Sequence, residues 1–420
     1  MKGNSCAPSC PPVIRIHGDK FKDILGKHYK AFIAVLCGYC YGFSSLSDIV
    51  RYLLFSPSLS AMSRFFNDKN MSNKLNRRQR RMVQSLLRKN RGGNMRYLWA
   101  LDDTLLPHYG KQIWGTYWWF DHCSKSNVYG HKLLVLGIVD TKKNIFIPVK
   151  WEILHREDKK SSSVHEKGWE VGIRLLQEVL REKFPKVPFV ADSWFACEEA
   201  FIKLDALGVD FVMEVKNNRI VTKHGHKFIN KPVKNFFLGL KKVRILFKGK
   251  TKWASSAILK FNGSVLRLKT VAVSNKKSVT TSAFSYYVCN KLTWDESRIW
   301  SIARYRWSIE VQFRDLKQFF ALGEAAVRSK SSVEINLSIS MIALTVVRQL
   351  QIEEADASKN QYGRPKPVSD IVNDFKLNSF NTLVSKLASK GEKVLLCKFR
   401  SRLNKKNLKN KPTVEYDEVS

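Results

Sequence analysis

Apolar and polar positions along this chain change period three times. From Phe21 to Asn90 apolar residues recur at helical spacing. Ser44 to Leu54 and Ser58 to Phe66 read as two short helices, each opened by a Ser able to cap the first free amides, with Ser56-Pro57 between them. That rhythm is a helix-turn-helix. Asn76 to Asn90 reads as a basic helix carrying Arg77, Arg78, Arg80, Arg81, Arg88 and Lys89. After the hinge Arg91-Gly92-Gly93-Asn94 the text turns to strands at Arg96–Leu101, Lys132–Val139 and Ile145–Ile153, the last two joined by a hairpin turn. An amphipathic helix over Ser163–Lys183, a strand over Pro188–Ala191, a helix over Cys197–Leu207 closed by Gly208, and a strand over Asp210–Val215 follow.

Three antiparallel strands, then helix, strand, helix and strand, make the order of a ribonuclease-H-like mixed α/β sheet. From Lys216 to Asn290 short apolar runs alternate with Gly, Asn, Ser and Lys turns, which predicts an all-β insertion. Helices return at Thr293–Gln318 and Ser332–Ile352, and the Lys-rich tail holds one more helical stretch near Phe380–Ser389. The expected organisation is an N-terminal helical DNA-binding region (1–92), a first catalytic part (93–215), the β insertion (216–290), closing helices (291–352) and a basic tail (353–420).

Charge narrows the partners. The 420 residues carry 73 Lys and Arg against 36 Asp and Glu, a formal net charge of +37 spread along the whole length. Such an excess calls for a polyanion, and double-stranded DNA is the expected one. The apolar runs Ala31–Phe43 and Met341–Val347 are too short to span a bilayer, so no membrane is expected. Eight cysteines without framework spacing fit reduced thiols and a cytoplasmic, nucleoid-associated protein. Cys37 and Cys40, with Cys6 and Cys10 upstream, have zinc-like spacing but sit in an apolar helical run, where buried thiols are ordinary.

Candidate chemistry lies at three places. Two predicted strands end in acids, at Asp102-Asp103 and at Asp192. Carboxylates at the carboxyl ends of neighbouring strands face a common crevice. The third place is the Arg306–Lys317 helix, where Arg306, Glu310, Arg314 and Lys317 share one face beside a buried stripe of Ile309, Phe313, Leu316 and Phe320. A surface helix with i, i+4 ion pairs would look the same locally. Three hard oxygen donors ringed by bases instead suit two Mg²⁺ ions, with Mn²⁺ as a substitute, at an in-line phosphoryl transfer, with Arg306, Arg314 and Lys317 holding DNA phosphates.

These blocks together resemble DDE transposases of the insertion-sequence-four type. Their third acid lies in a Tyr-x-x-Arg-x-x-x-Glu-x-x-x-x-x-x-Lys signature, matched here by Arg306, Glu310 and Lys317, while Ala303 stands at the Tyr position. Leu101-Asp102-Asp103-Thr104 and Val190-Ala191-Asp192-Ser193 are similar to the first two blocks. The resemblance implies Asp103, Asp192 and Glu310 as catalytic and metal-binding, the acid directly before Thr being the family's first. It also implies cut-and-paste cleavage at terminal inverted repeats through a DNA hairpin, by a homodimer. Stacking on an unstacked base falls to Trp307, with Tyr286 and Tyr287 next. The alternatives are an inactive or domesticated relative that only binds DNA, and a basic nucleic-acid-binding protein without an active site.

Overall fold

The computed structural model describes residues 10–53, 56–90, 95–110, 112–121, 123–155, 166–223, 230–237, 240–247, 249–261, 265–275, 284–324, 327–357 and 365–389. Cys6 and the tail beyond residue 389 lie outside them.

The chain forms two compact units, one of residues 1–75, 316–347 and 366–420, the other of 76–315 and 348–365. The first holds the helices α1 (Pro12–Asp19), α2 (Lys22–Leu25), α3 (Tyr29–Cys40), α4 (Leu46–Tyr52) and α5 (Leu59–Phe66). Ser45 and Ser58 cap α4 and α5 by accepting from the amides of Asp48 and Ala61, as their positions predict. α3 is buried almost throughout, Cys37 and Cys40 included. Cys10 Sγ lies 3.3 Å from Cys37 Sγ. The basic helix α6 (Met71–Lys89) departs from the expected division at residue 92. From Asn76 it belongs to the second unit, where Val83, Leu86 and Leu87 enter the core and Gln79 donates to the carbonyl of Pro148 at 2.7 Å.

The second unit is built on one sheet. Its strands are β1 (Tyr97–Pro107), β2 (Tyr117–Asp121), β3 (Ser126–Asp140), β4 (Ile145–Leu154), β5 (Phe189–Ala191), β6 (Phe211–Val215), β7 (Ile220–Lys223), β8 (Lys231–Pro232), β9 (Val243–Phe247), β10 (Lys250–Phe261), β11 (Leu268–Ser274) and β12 (Ser285–Cys289). Its helices include α7 (Gly168–Arg181), α8 (Glu198–Ala206), α9 (Val233–Phe236), α10 (Glu296–Arg304) and the start of α11 (Trp307–Phe319). α12 (Lys330–Ala357) and α13 (Val368–Ser389) follow.

β4, β3, β1, β5 and β6 lie side by side, the first three antiparallel and the last three parallel. This is the ribonuclease-H-like order. The β insertion does not fold apart from it. β12 pairs antiparallel with β6, and β11, β10, β7 and β8 continue outward, so one sheet of twelve strands results. The sheet is covered on both faces near its centre: Leu98, Trp99, Ala100 and Leu101 are all buried in succession.

Two expected boundaries shift. The strand expected to end in Asp102-Asp103 continues past them: β1 runs on to Pro107, and β2 pairs with β3. The helix expected over Thr293–Gln318 is broken at Tyr305, which caps α10 before α11 begins at Trp307. By length and composition α12 could cross a membrane, but 94% of its apolar window is buried, as in a core helix.

Candidate active site

Register assembles the site. Leu101 of β1 pairs with Ala191 of β5, and Ala191 with Met213 of β6. One residue further along, Asp102, Asp192 and Glu214 therefore stand level on three adjacent strands, pointing to one face. On β12, Tyr287 pairs with Glu214 and extends the row. Leu101, Ala191, Met213 and Val288 point the other way, into the core that contains residues of α7 and α8.

Arg306, between α10 and α11, covers the row. Its guanidinium bonds Asp102 at 2.9 Å and Glu310 at 2.7 Å. Burial opposes the charge on Arg306, but Asp102, Glu310 and Asp192 outweigh it and hold it protonated. Asp102 is only 9% exposed. Burial, and then the charge of Asp192, push its carboxyl up to about 8 despite Arg306. Burial likewise raises Glu214, which feels Arg306, Asp192 and Glu310. Asp192 accepts a hydrogen bond from the Trp194 amide at 2.9 Å.

Asp103, expected as the first acid, is not in this row. Strand alternation turns it to the opposite face, where it meets Lys132 at 3.4 Å. Lys132 in turn lies over the Trp194 ring, 3.8 Å from its centroid. Asp102, not Asp103, is the acid that Arg306 links to Glu310 and the one raised by the charge of Asp192.

The expected DNA contacts divide. Trp307 is 56% exposed at the start of α11, and Arg314 is exposed on the same helix. Lys317 also lies on α11, in its last turn. Tyr287 is half-buried beside Glu214, and burial raises its phenol. Tyr286 is corrected: at 1% exposure it is a core residue, packed against Phe237 and Phe284, so no base can stack on it. Ala303 is in α10, and neighbouring Arg304 is close enough to influence Tyr287. His131 is structural: it is buried between His108, at 2.8 Å, and the carbonyl of Trp114, at 2.7 Å. Sequence reading missed Glu214. Its signal was an acid inside the apolar run Phe211–Val215, on the strand after the one that ends at Asp192.

The donor set suits a hard divalent cation. All four acids offer carboxylate oxygens, and burial, then the charge of Asp192, keeps Asp102 reluctant to ionise until a cation joins Arg306 there. Among the described residues no three ligand-type side chains yet converge into a cage. Arg306 occupies the space between Asp102 and Glu310 instead.

The pH dependence follows. An unfolded Asp titrates near ~4, whereas folded Asp102 holds its proton up to about 8. That proton stabilises the fold below the unfolded value, and the stability is lost as pH rises toward the folded one. Without metal, thermal stability is expected to fall over this window, and Asp102→Asn to flatten the fall. Mg²⁺ should raise the melting temperature more at about pH 8 than at about pH 6, because it binds the ionised acid. Scanning fluorimetry checks this. An Mg²⁺ increment equal at both pH values and unchanged in Asp102→Asn would argue against Asp102 as a metal ligand.

Residues 40–235 match the family model of DDE superfamily endonucleases. That stretch contains Asp102, Asp103, Asp192 and Glu214 and ends before Arg306 and Glu310. No curated protein matches the chain. Among solved structures, it is similar to a piggyBac transposase in a synaptic complex with hairpin DNA. The two are 12% identical, with a TM-score of 0.44 over 93% of this chain and 78% of that one.

Proposed function

We propose that this protein is a DDE-type DNA transposase that cuts DNA at the ends of an element and joins the freed ends to a target. The observation that carries the reading is the level row of Asp102, Asp192 and Glu214, closed by Arg306 and Glu310 from the helix above. The match of residues 40–235 to DDE superfamily endonucleases supports it independently.

In this reading Asp102, Asp192 and Glu310 hold two Mg²⁺ ions, or Mn²⁺ in their place. Bound there, the metals would activate the attacking oxygen and stabilise the leaving one. Glu214 adds charge at the rear of the row. Arg306, released from the acids it now bridges, would be free to hold the scissile phosphate. Trp307 and Arg314 are exposed on α11 and in this reading would stack a base and hold the adjacent strand. Lys317, as the last signature position, belongs to the same set.

The insertion-sequence-four signature extends the proposal to terminal inverted repeats, cut-and-paste movement, a hairpin intermediate and a homodimer. Ala303 favours a second reading, an inactive relative that binds DNA only, because the signature hydroxyl is missing. One assay separates the two. Incubated with Mg²⁺ and end-labelled duplexes from the borders of its own gene, the protein should give nicks and then hairpins. Tight end binding without any cleavage in Mg²⁺ or Mn²⁺ would establish the inactive reading.

A further inference from the structure

At the opposite end of the same parallel strands lies a cavity of about 680 Å³. Tyr97 at the start of β1, Pro188 just before β5 and Asp210 just before β6 form its base. Asp102 is five residues along β1 from Tyr97, about 17 Å of extended strand, so this cavity is separate from the acid row.

Its lining is unusual in charge. Six cations face one acid. Arg96 is committed to Asp140, at 2.9 Å, and Lys291 to Asp210, at 3.5 Å. Among the described residues, Arg88, Lys183, Lys186 and Arg298 have no acidic partner. They come from three separate places, the end of α6, the α7–β5 connection and α10, and surround apolar walls of Leu87, Pro185 and Val187. Arg298 lies over the buried Trp294, 4.6 Å from its ring centroid, which fixes it at the rim. All four are exposed, so solvent screens their mutual repulsion, and together they still make a positive rim that attracts an anion. Apolar walls between separated cations fit a ligand that alternates phosphate with sugar and base, and the volume is of nucleotide size.

We infer that this cavity binds the backbone of a DNA strand, at a second site distinct from the one cleaved. The inference rests on the proposed function only for DNA as the partner, not for catalysis. Commitment to a strand rather than a free nucleotide rests on the spread of the cations to several sides of an open groove, which suits a chain that enters and leaves.

The test uses the full-length protein in EDTA, so that nothing is cut. Binding of a fluorescent duplex is followed by anisotropy over a series of KCl concentrations. Reversing two rim charges, Lys186→Glu with Arg298→Glu, should weaken binding and make the log–log salt slope shallower by about 1.8, two phosphate contacts. Both side chains are exposed, so the fold is retained, and circular dichroism checks it. As a control, Lys250→Glu with Lys260→Glu changes the same net charge away from the cavity. A salt slope equal to wild type, or one reduced equally by the control pair, would overturn the site. Competition by deoxynucleoside monophosphate as strong as that by an oligonucleotide would overturn the strand. Because cleavage is not read, a shallower slope in a protein that never cuts DNA would leave this site standing while the transposase reading falls.

Discussion

Asp102→Asn is expected to lower DNA cleavage by about a thousandfold or more while leaving DNA binding intact, and Asp103→Asn to lower it by less than about tenfold. The size of the first effect reflects loss of a buried carboxyl that would ionise to hold a metal, at a site whose electrostatics supply most of the rate. The contrast between the two comes from the strand. Asp102 shares its face with Asp192 and Glu214 and is bonded to Arg306, whereas Asp103 faces Lys132 on the other side of the sheet. Initial rates of strand nicking on a labelled duplex check it. Equal losses in both variants would mean that Asp103 supports the site through Lys132. A loss confined to Asp103→Asn would restore the acid directly before Thr104 and reject the row described above.

The largest stability effect is expected at Arg348. Its guanidinium, 7% exposed, bonds Asp315 at 2.8 Å and Gln351 at 2.7 Å. Burial pulls Arg348 below the ordinary range of Arg, and Asp315 opposes that pull. Removing Arg348 leaves the buried Asp315 with only the exposed Arg314, at 3.9 Å, and breaking such a pair costs about 3–5 kcal/mol. Arg348→Met should therefore lower the melting temperature by roughly 6–20 °C. Arg348→Met combined with Asp315→Leu should recover much of it, since apolar replacement of the whole pair is often neutral. Asp315 is on α11, five residues beyond Glu310, so the single variant should also loosen the helix that presents Glu310 and reduce cleavage below its melting point. A single variant that melts within about 2 °C of wild type would show that the pair is not a lock.

Much of the fold was legible because it is written in local periods. The Ser caps of α4 and α5, the stripe of Ile309, Phe313 and Leu316, and the β runs near residues 243–247 and 285–288 all appear where their spacing puts them. Pairing is not local. Nothing in Ser285–Cys289 says that it joins β6 and makes the insertion part of the main sheet. Nor does any local signal show that most of α6 packs on the α/β unit rather than with the helices before it.

The candidate site divides along the same line. Asp192 and Glu310 stand out as acids at the end of a strand and among bases on a helix. The choice between Asp102 and Asp103 could not be read from the sequence. β1 is buried on both faces, so Leu98, Trp99, Ala100 and Leu101 show no alternation to say which way the next residue points. Glu214 escaped for a related reason: it is level with Asp192 only once β5 and β6 are in register. Tyr286 and Tyr287 look alike in sequence, and only the pairing of β12 sends one into the core and the other toward Glu214.

The central claim is that the first metal-binding acid is Asp102, acting with Asp192 and Glu310. Thiol substitution with a change of metal tests it most directly, because a thiolate binds Mg²⁺ poorly and Mn²⁺ better. Asp102→Cys should be inactive in Mg²⁺ and regain measurable cleavage in Mn²⁺, while Asp103→Cys should cleave in both. Rescue by Mn²⁺ in Asp103→Cys, with Asp102→Cys active in Mg²⁺ alone, would contradict the account.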